Sequence, residues 1–144
     1  MSPTGKKAVA AALERLLEEH GLDFRRVRAG LPHRTVYQRA AAADLSVLLL
    51  LHWHSYREQF CFEVGWLFRA TFDDLGSCFD AAHALRLDAA ILPVNVLAGQ
   101  PGEHWWDLRE AAGVADAFVE VQSLGLPYLD RVAQAKLPAG GLEC

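Results

Sequence analysis

His52 and His54 stand two apart in an apolar run, a spacing that on an extended strand turns both imidazoles to one face, opposite Trp53. Two histidines so placed can hold a metal, with His33, Cys61, Glu63 or His104 available to complete a tetrahedral set. The same neighbourhood offers a thiol and a base, because a strand carrying Cys61 beside the one carrying His52 could bring them together. Against this, the chain has no HExxH, no paired cysteines, no GxSxG and no glycine-rich phosphate loop. A cysteine within a half-buried strand is ordinarily an inert small hydrophobe. The expectation is therefore no catalytic centre, no metal and no cofactor, with a small-ligand or metal-binding enzyme at His52, His54, Cys61 and Glu63 as the alternative.

A second constellation follows Gly99-Gln100-Pro101-Gly102: Glu103, Trp105, Trp106, Asp107 and Glu110. Read as the start of a helix, this segment turns its two tryptophans about 100° apart, one onto a sheet and one nearer the surface. Spacings of four and three would align Glu103, Asp107 and Glu110 along one helix face. An exposed Trp among carboxylates is a protein-interface pattern. The loop residues Asp73 and Asp74 are expected to extend that acidic surface. A third constellation, Arg25, Arg26, Arg28, Arg34 and Arg39 with Phe24 and Tyr37, has the composition of a nucleic-acid face. Strand alternation, however, divides these arginines between two faces, and charged edge strands also serve to block aggregation.

Charge separates along the chain. Residues 1–69 carry a net +3 and residues 70–144 a net −7, which suggests a basic and an acidic surface on one domain. The length suits a single domain, 1–144, with 1–3 and 137–144 frayed. No run reaches the roughly 20 apolar residues of a membrane span, and Lys6, Lys7, Glu14 and Arg15 interrupt any secretory core. Three cysteines, Cys61, Cys78 and Cys144, without a pairing motif fit a reducing cytoplasm. The heavy use of Ala, Leu and Arg points to a bacterial source.

The elements that position these residues follow from periodicity. Thr4 to His20 reads as a helix stopped by Gly21. Leu22–Ala29 and His33–Arg39 read as short strands about the Gly30-Leu31-Pro32 turn, and Ala40–Asp44 as a further turn. Leu45–Trp53 and Phe60–Phe68 read as a long hairpin closed by Ser55–Glu58. The second alternates strictly, with Phe60, Phe62, Val64, Trp66 and Phe68 on one face. Burying such aromatics contributes on the order of 2–3 kcal/mol each. Asp73 to Ser77 reads as a loop and Phe79–Leu87 as a short helix. Ala89–Leu97 is a strand that Pro93 confines to an edge or an end. Helical segments are expected over Trp105–Ala112, Val114–Leu124 up to Gly125, and Tyr128–Ala135. The fold class is α+β: an antiparallel meander of four to five strands with N- and C-terminal helices packed on one face.

The chain resembles a bacterial family of small α+β domains of unknown function. The resemblance runs through Gly21-Leu22-Asp23-Phe24, Arg34-Thr35-Val36-Tyr37, Phe60-Cys61-Phe62-Glu63-Val64-Gly65-Trp66, Trp105-Trp106-Asp107-Leu108 and Gly125-Leu126-Pro127-Tyr128-Leu129-Asp130. It covers most of the chain and is weakest over 73–100, where strand register is not legible. Members of this general kind can serve as immunity proteins beside toxins. The resemblance implies the fold and a bacterial origin and brings no established active site. Taken with the acidic surface, the expectation is a non-enzymatic protein that neutralises a cognate toxin, or another basic protein partner, by direct binding and occlusion. The expected contact residues are Asp73, Asp74, Glu103, Trp105, Trp106, Asp107 and Glu110, with no membrane partner and with nucleic-acid binding through the arginine-rich first strands as a third reading.

Overall fold

Leu45–Trp53 (β3) and Gln59–Phe68 (β4) pair antiparallel from end to end, which places His52 opposite Cys61, Leu50 opposite Glu63 and Leu48 opposite Gly65. The computed structural model describes residues 5–28, 31–42, 45–68, 89–100 and 102–135. Its sheet runs in the order β1 (Arg25–Val27), β2 (Arg34–Ala42), β3, β4 and β5 (Ala89–Pro93), each strand antiparallel to its neighbour. A sixth strand, β6 (Trp106–Asp107), shares the outer edge of β4 with β5. The meander and the α+β class are those read from the sequence.

Alternation decides the core. Leu45, Val47, Leu49, Leu51 and Trp53 of β3 lie beside Phe60, Phe62, Val64 and Trp66 of β4, all buried on one face. The helices cover that face. Val9, Leu13 and Leu17 come from α1 (Lys6–Glu19), Ala117 from α2 (Ala111–Glu120), and Leu129 and Val132 from α3 (Leu126–Ala135). Tyr37 ties α1 to the sheet, its buried hydroxyl donating to Glu14 Oε2 at 2.8 Å.

Several local expectations change. The opposite sheet face is not open along its length: Val36, Leu48, Leu50 and Leu67 form a second buried cluster there. β2 runs on through the expected turn to Ala42, with a bulge between Ala40 and Ala42. The first strand shrinks to three residues, and the fifth ends at Pro93, which cannot donate to a ladder and passes into a 3-10 turn, Val94–Ala98. α1 begins at Lys6 after Gly5; Thr4 lies outside the described residues, as do Asp73, Asp74 and the Phe79–Leu87 segment.

No helix starts at Trp105, because Trp106–Asp107 pairs with Gln59–Phe60 instead. Gly125 does not stop a helix either. A π-helical turn, Val121–Gly125, carries α2 directly into α3. Gly125 is there because a Cβ would come within 3.0 Å of Val121 Cγ2 and 3.4 Å of Val64 and Val94. Its smallness serves packing, not termination.

Two outcomes test this packing. A Cβ at Gly65 would overlap the backbone carbonyl oxygen of Ala90 on β5, which cannot rotate away. Gly65→Ala should lower the urea-unfolding free energy by about 2 kcal/mol. Burial, reinforced by the Glu14 carboxylate, raises the ionisation of Tyr37 well above the ordinary phenol value of about 10. The unfolded chain thus releases this proton before the folded one does. The stability contributed is complete below about pH 10 and is lost as pH rises beyond it. Tyr37→Phe should flatten that alkaline limb in urea melts, at a cost of about 1 kcal/mol near neutrality.

Candidate functional site

β5 pairs with β4 only from Glu63 to Leu67, and β6 only at Gln59 and Phe60. Between them the chain leaves the sheet. Asn95, 2 % exposed, holds this excursion: its side-chain amide donates to the carbonyls of Gly102 and Gln100, and its Oδ1 accepts from the His104 N–H at 3.2 Å. Gly99 and Gly102 supply the left-handed backbone the loop needs, at φ +85° and +74°. The result brings Glu103 and Trp105 over the His52–Cys61 pair.

A polar cluster fills this gap. Arg34 of β2 reaches across β3 and grips Glu63 with two bonds, Nε to Oε1 at 2.7 Å and Nη2 to Oε2 at 3.2 Å. His52 Nδ1 lies 3.3 Å from Glu63 Oε2 and 3.3 Å from Glu103 Oε2. Cys61 Sγ is 3.8 Å from the same nitrogen. Burial alone would raise the Glu63 carboxyl, but hydrogen bonds and charge from His52 and Arg34 hold it below the usual carboxylate range. Burial, then the charges of Glu63 and Glu103, push the Cys61 thiol far up. That is the opposite of what a thiolate nucleophile requires.

Aromatic rings lead outward from the cluster. His52 and His54 each contact Trp105 with centroids 4.8 Å apart, and His54 meets Tyr56 edge-on at 4.7 Å. His54 closes the hairpin turn as well, Nδ1 accepting from the Tyr56 and Arg57 N–H groups at 3.3 and 3.2 Å.

The structure therefore merges two constellations that the sequence kept apart. His52, Cys61 and Glu63 converge as neighbouring strands allow, and Glu103 and Trp105 join them. Trp106 turns the other way, into the helix-covered core. Asp107 is engaged by Arg109, whose Nε and Nη2 each donate at 3.0 Å, and these bonds with the Arg109 N–H lower its ionisation. Glu110 is exposed at the N-terminus of α2. Glu103, Asp107 and Glu110 accordingly share no helix face. Of the ring nitrogens proposed for a metal, His33 and His104 stay out of the cluster. His104 packs tilted against Trp106, ring centroids 4.2 Å apart, and His33 takes a left-handed backbone at φ +59°.

Sequence reasoning missed Asn95, and it placed Arg34 on a basic face without pairing it to Glu63. The signal for Arg34 was Glu63 itself, an acid within an apolar strand that needs a cation. Three of the other arginines meet carboxylates too: Arg25 with Asp23, Arg26 with Glu14 and Arg39 with Asp130, at 3.6–3.9 Å. Arg28 is exposed.

Fold and site together define an α+β sheet protein with a charged cluster where a strand edge changes partners. No protein-family model, curated protein or solved structure matches the chain.

Arg34→Met strands Glu63 in the sheet and should destabilise the protein by roughly 3 kcal/mol, whereas Arg34→Met with Glu63→Leu should recover most of that loss. Equilibrium unfolding of both variants checks it; equal losses would show that the pair is not what matters.

Proposed function

We propose that the protein is a non-enzymatic protein-binding domain, a cytoplasmic immunity protein that neutralises a cognate toxin by occlusion. The observation that carries the reading is the aromatic row Tyr56–His54–Trp105, ending beside the Glu103 carboxylate. Tyr56 is 83 % exposed at the hairpin tip. Rigid aromatic side chains anchor interfaces at low entropic cost. A partner's Arg or Lys entering here would meet both a ring face and a carboxylate.

The net charge of −4 favours the approach of a basic protein. The raised Cys61 thiol and the doubly held Glu63 argue for a site that binds and does not turn over substrate. Among the described residues no helix is long and apolar enough to cross a membrane. The contact surface differs from the acidic helix face first expected. Glu103 and Trp105 stay at its centre, Tyr56 and His54 enter, and Glu110 lies outside the ring row. Asp107 is occupied by Arg109, and Trp106 belongs to the core.

A tagged pull-down from the native bacterium, read by mass spectrometry, should recover a single stoichiometric protein partner. Trp105→Ala or Tyr56→Ala should then weaken that complex at least tenfold, about 1.4 kcal/mol. An empty pull-down with folded bait would sink the binding reading. Unchanged affinity in Trp105→Ala with Glu103→Lys would move the surface elsewhere.

A further inference from the structure

The cluster under Trp105 has a chemistry that partner binding does not use. His52 Nδ1, Cys61 Sγ and a Glu103 carboxylate oxygen all lie within 4.8 Å of one another. Two of the separations are 3.8 Å for nitrogen to sulfur and 3.3 Å for nitrogen to oxygen. Ligands about 2.0–2.3 Å from a tetrahedral zinc stand roughly 3.3–3.6 Å apart, so these two separations already fit to within a few tenths of an ångström, while the sulfur and the carboxylate oxygen, within 4.8 Å of each other, close by up to about 1.3 Å as Glu103 turns in. We propose that His52, Cys61 and Glu103 bind one divalent transition-metal ion, zinc by the character of the donors, with the fourth position left for water or a partner's side chain.

Nitrogen, sulfur and carboxylate oxygen are the donors zinc accepts, and a soft sulfur disfavours magnesium and calcium. Charge fits too. Arg34 cancels Glu63 within the sheet, so a Cys61 thiolate, a Glu103 carboxylate, a neutral imidazole and a divalent ion sum to zero. Because the Arg34 fork satisfies both Glu63 oxygens, His52 Nδ1 can turn from Glu63 to the metal without orphaning a buried carboxylate. The ring of Trp105 against His52 restricts the imidazole to that neighbourhood. Glu103 sits on the loop held by Asn95 and retains the freedom to close on an ion.

The test is a cobalt(II) titration of untagged, reduced, full-length protein, followed by displacement with zinc. The expected result is a single equivalent bound, with a near-ultraviolet thiolate-to-cobalt band that zinc abolishes. Cys61→Ser should lose the band, and Glu103→Gln should weaken binding at least tenfold. Glu110→Gln, an exposed carboxylate outside the cluster, should change nothing. Circular dichroism checks each fold; should Cys61→Ser not fold, the exposed Glu103→Gln still decides. Absence of a stoichiometric ion in folded wild type overturns the proposal, as does a band that survives Cys61→Ser or an affinity indifferent to Glu103→Gln. The titration needs no protein partner, so its outcome is independent of the immunity reading.

Discussion

A carboxylate at Glu63 cannot stay charged inside a sheet without a cation and hydrogen-bond donors beside it, and much of the architecture answers that requirement. Its side chain is 3 % exposed. Desolvation of an isolated carboxylate in such a place would neutralise it or unfold the strand. Arg34 and His52 meet it from β2 and β3, and they do so only in the observed register, with Arg34 opposite His52 and His52 opposite Cys61. A slip of one residue on either strand would carry the cation to the helix-covered face and an apolar side chain to the carboxylate. The ion pair thus acts as a register lock, in addition to whatever net stability it contributes.

The second determinant is geometric. β4 is the longest strand, and neither β5 nor β6 alone covers its outer edge. Dividing that edge between two short strands leaves Cys61 and Phe62 without a partner in either, and the connecting loop must cross near that point. Asn95 turns a tolerated irregularity into a defined one, since its amide satisfies loop backbone groups that would otherwise seek water. Polar side chains gather there because the ladder is interrupted there. The apolar clusters on both faces occupy the continuous part of the sheet.

What was legible in the sequence follows the range of the forces involved. The period of two in Phe60–Phe68 is written in the side chains themselves, so the hairpin, its buried face and the α+β class could be read directly. The same alternation placed His52 and Cys61 on one face. Trp105–Ala112 was misread because its local composition suits a helix, whereas the pairing of Trp106 with Phe60 is a tertiary fact about an unfilled strand edge. Gly125 was misread for a related reason. Glycine after a helical pattern usually signals a stop, yet here it permits close approach to Val64 and Val94, residues remote in sequence. Arg34 was noticed as one charge among several, and only the register singles out its partner.

The negative charges around Cys61 separate the chemistries this site can support. Burial, and after it the charges of Glu63 and Glu103, oppose formation of a free thiolate, the form a covalent nucleophile needs. The same field favours any cation that enters, whether a metal ion bonded to the sulfur or the side chain of a basic partner. Glu103 is common to both events, and it sits on the loop, not in the sheet. A metal would draw that carboxylate inward beneath Trp105, and a guanidinium from outside would draw it toward Tyr56. One carboxylate cannot satisfy both fully. An ion held by His52 and Cys61 would therefore either weaken the outer contact or replace it by offering its own fourth position to the partner, which couples the interior of the sheet to the surface through a single side chain.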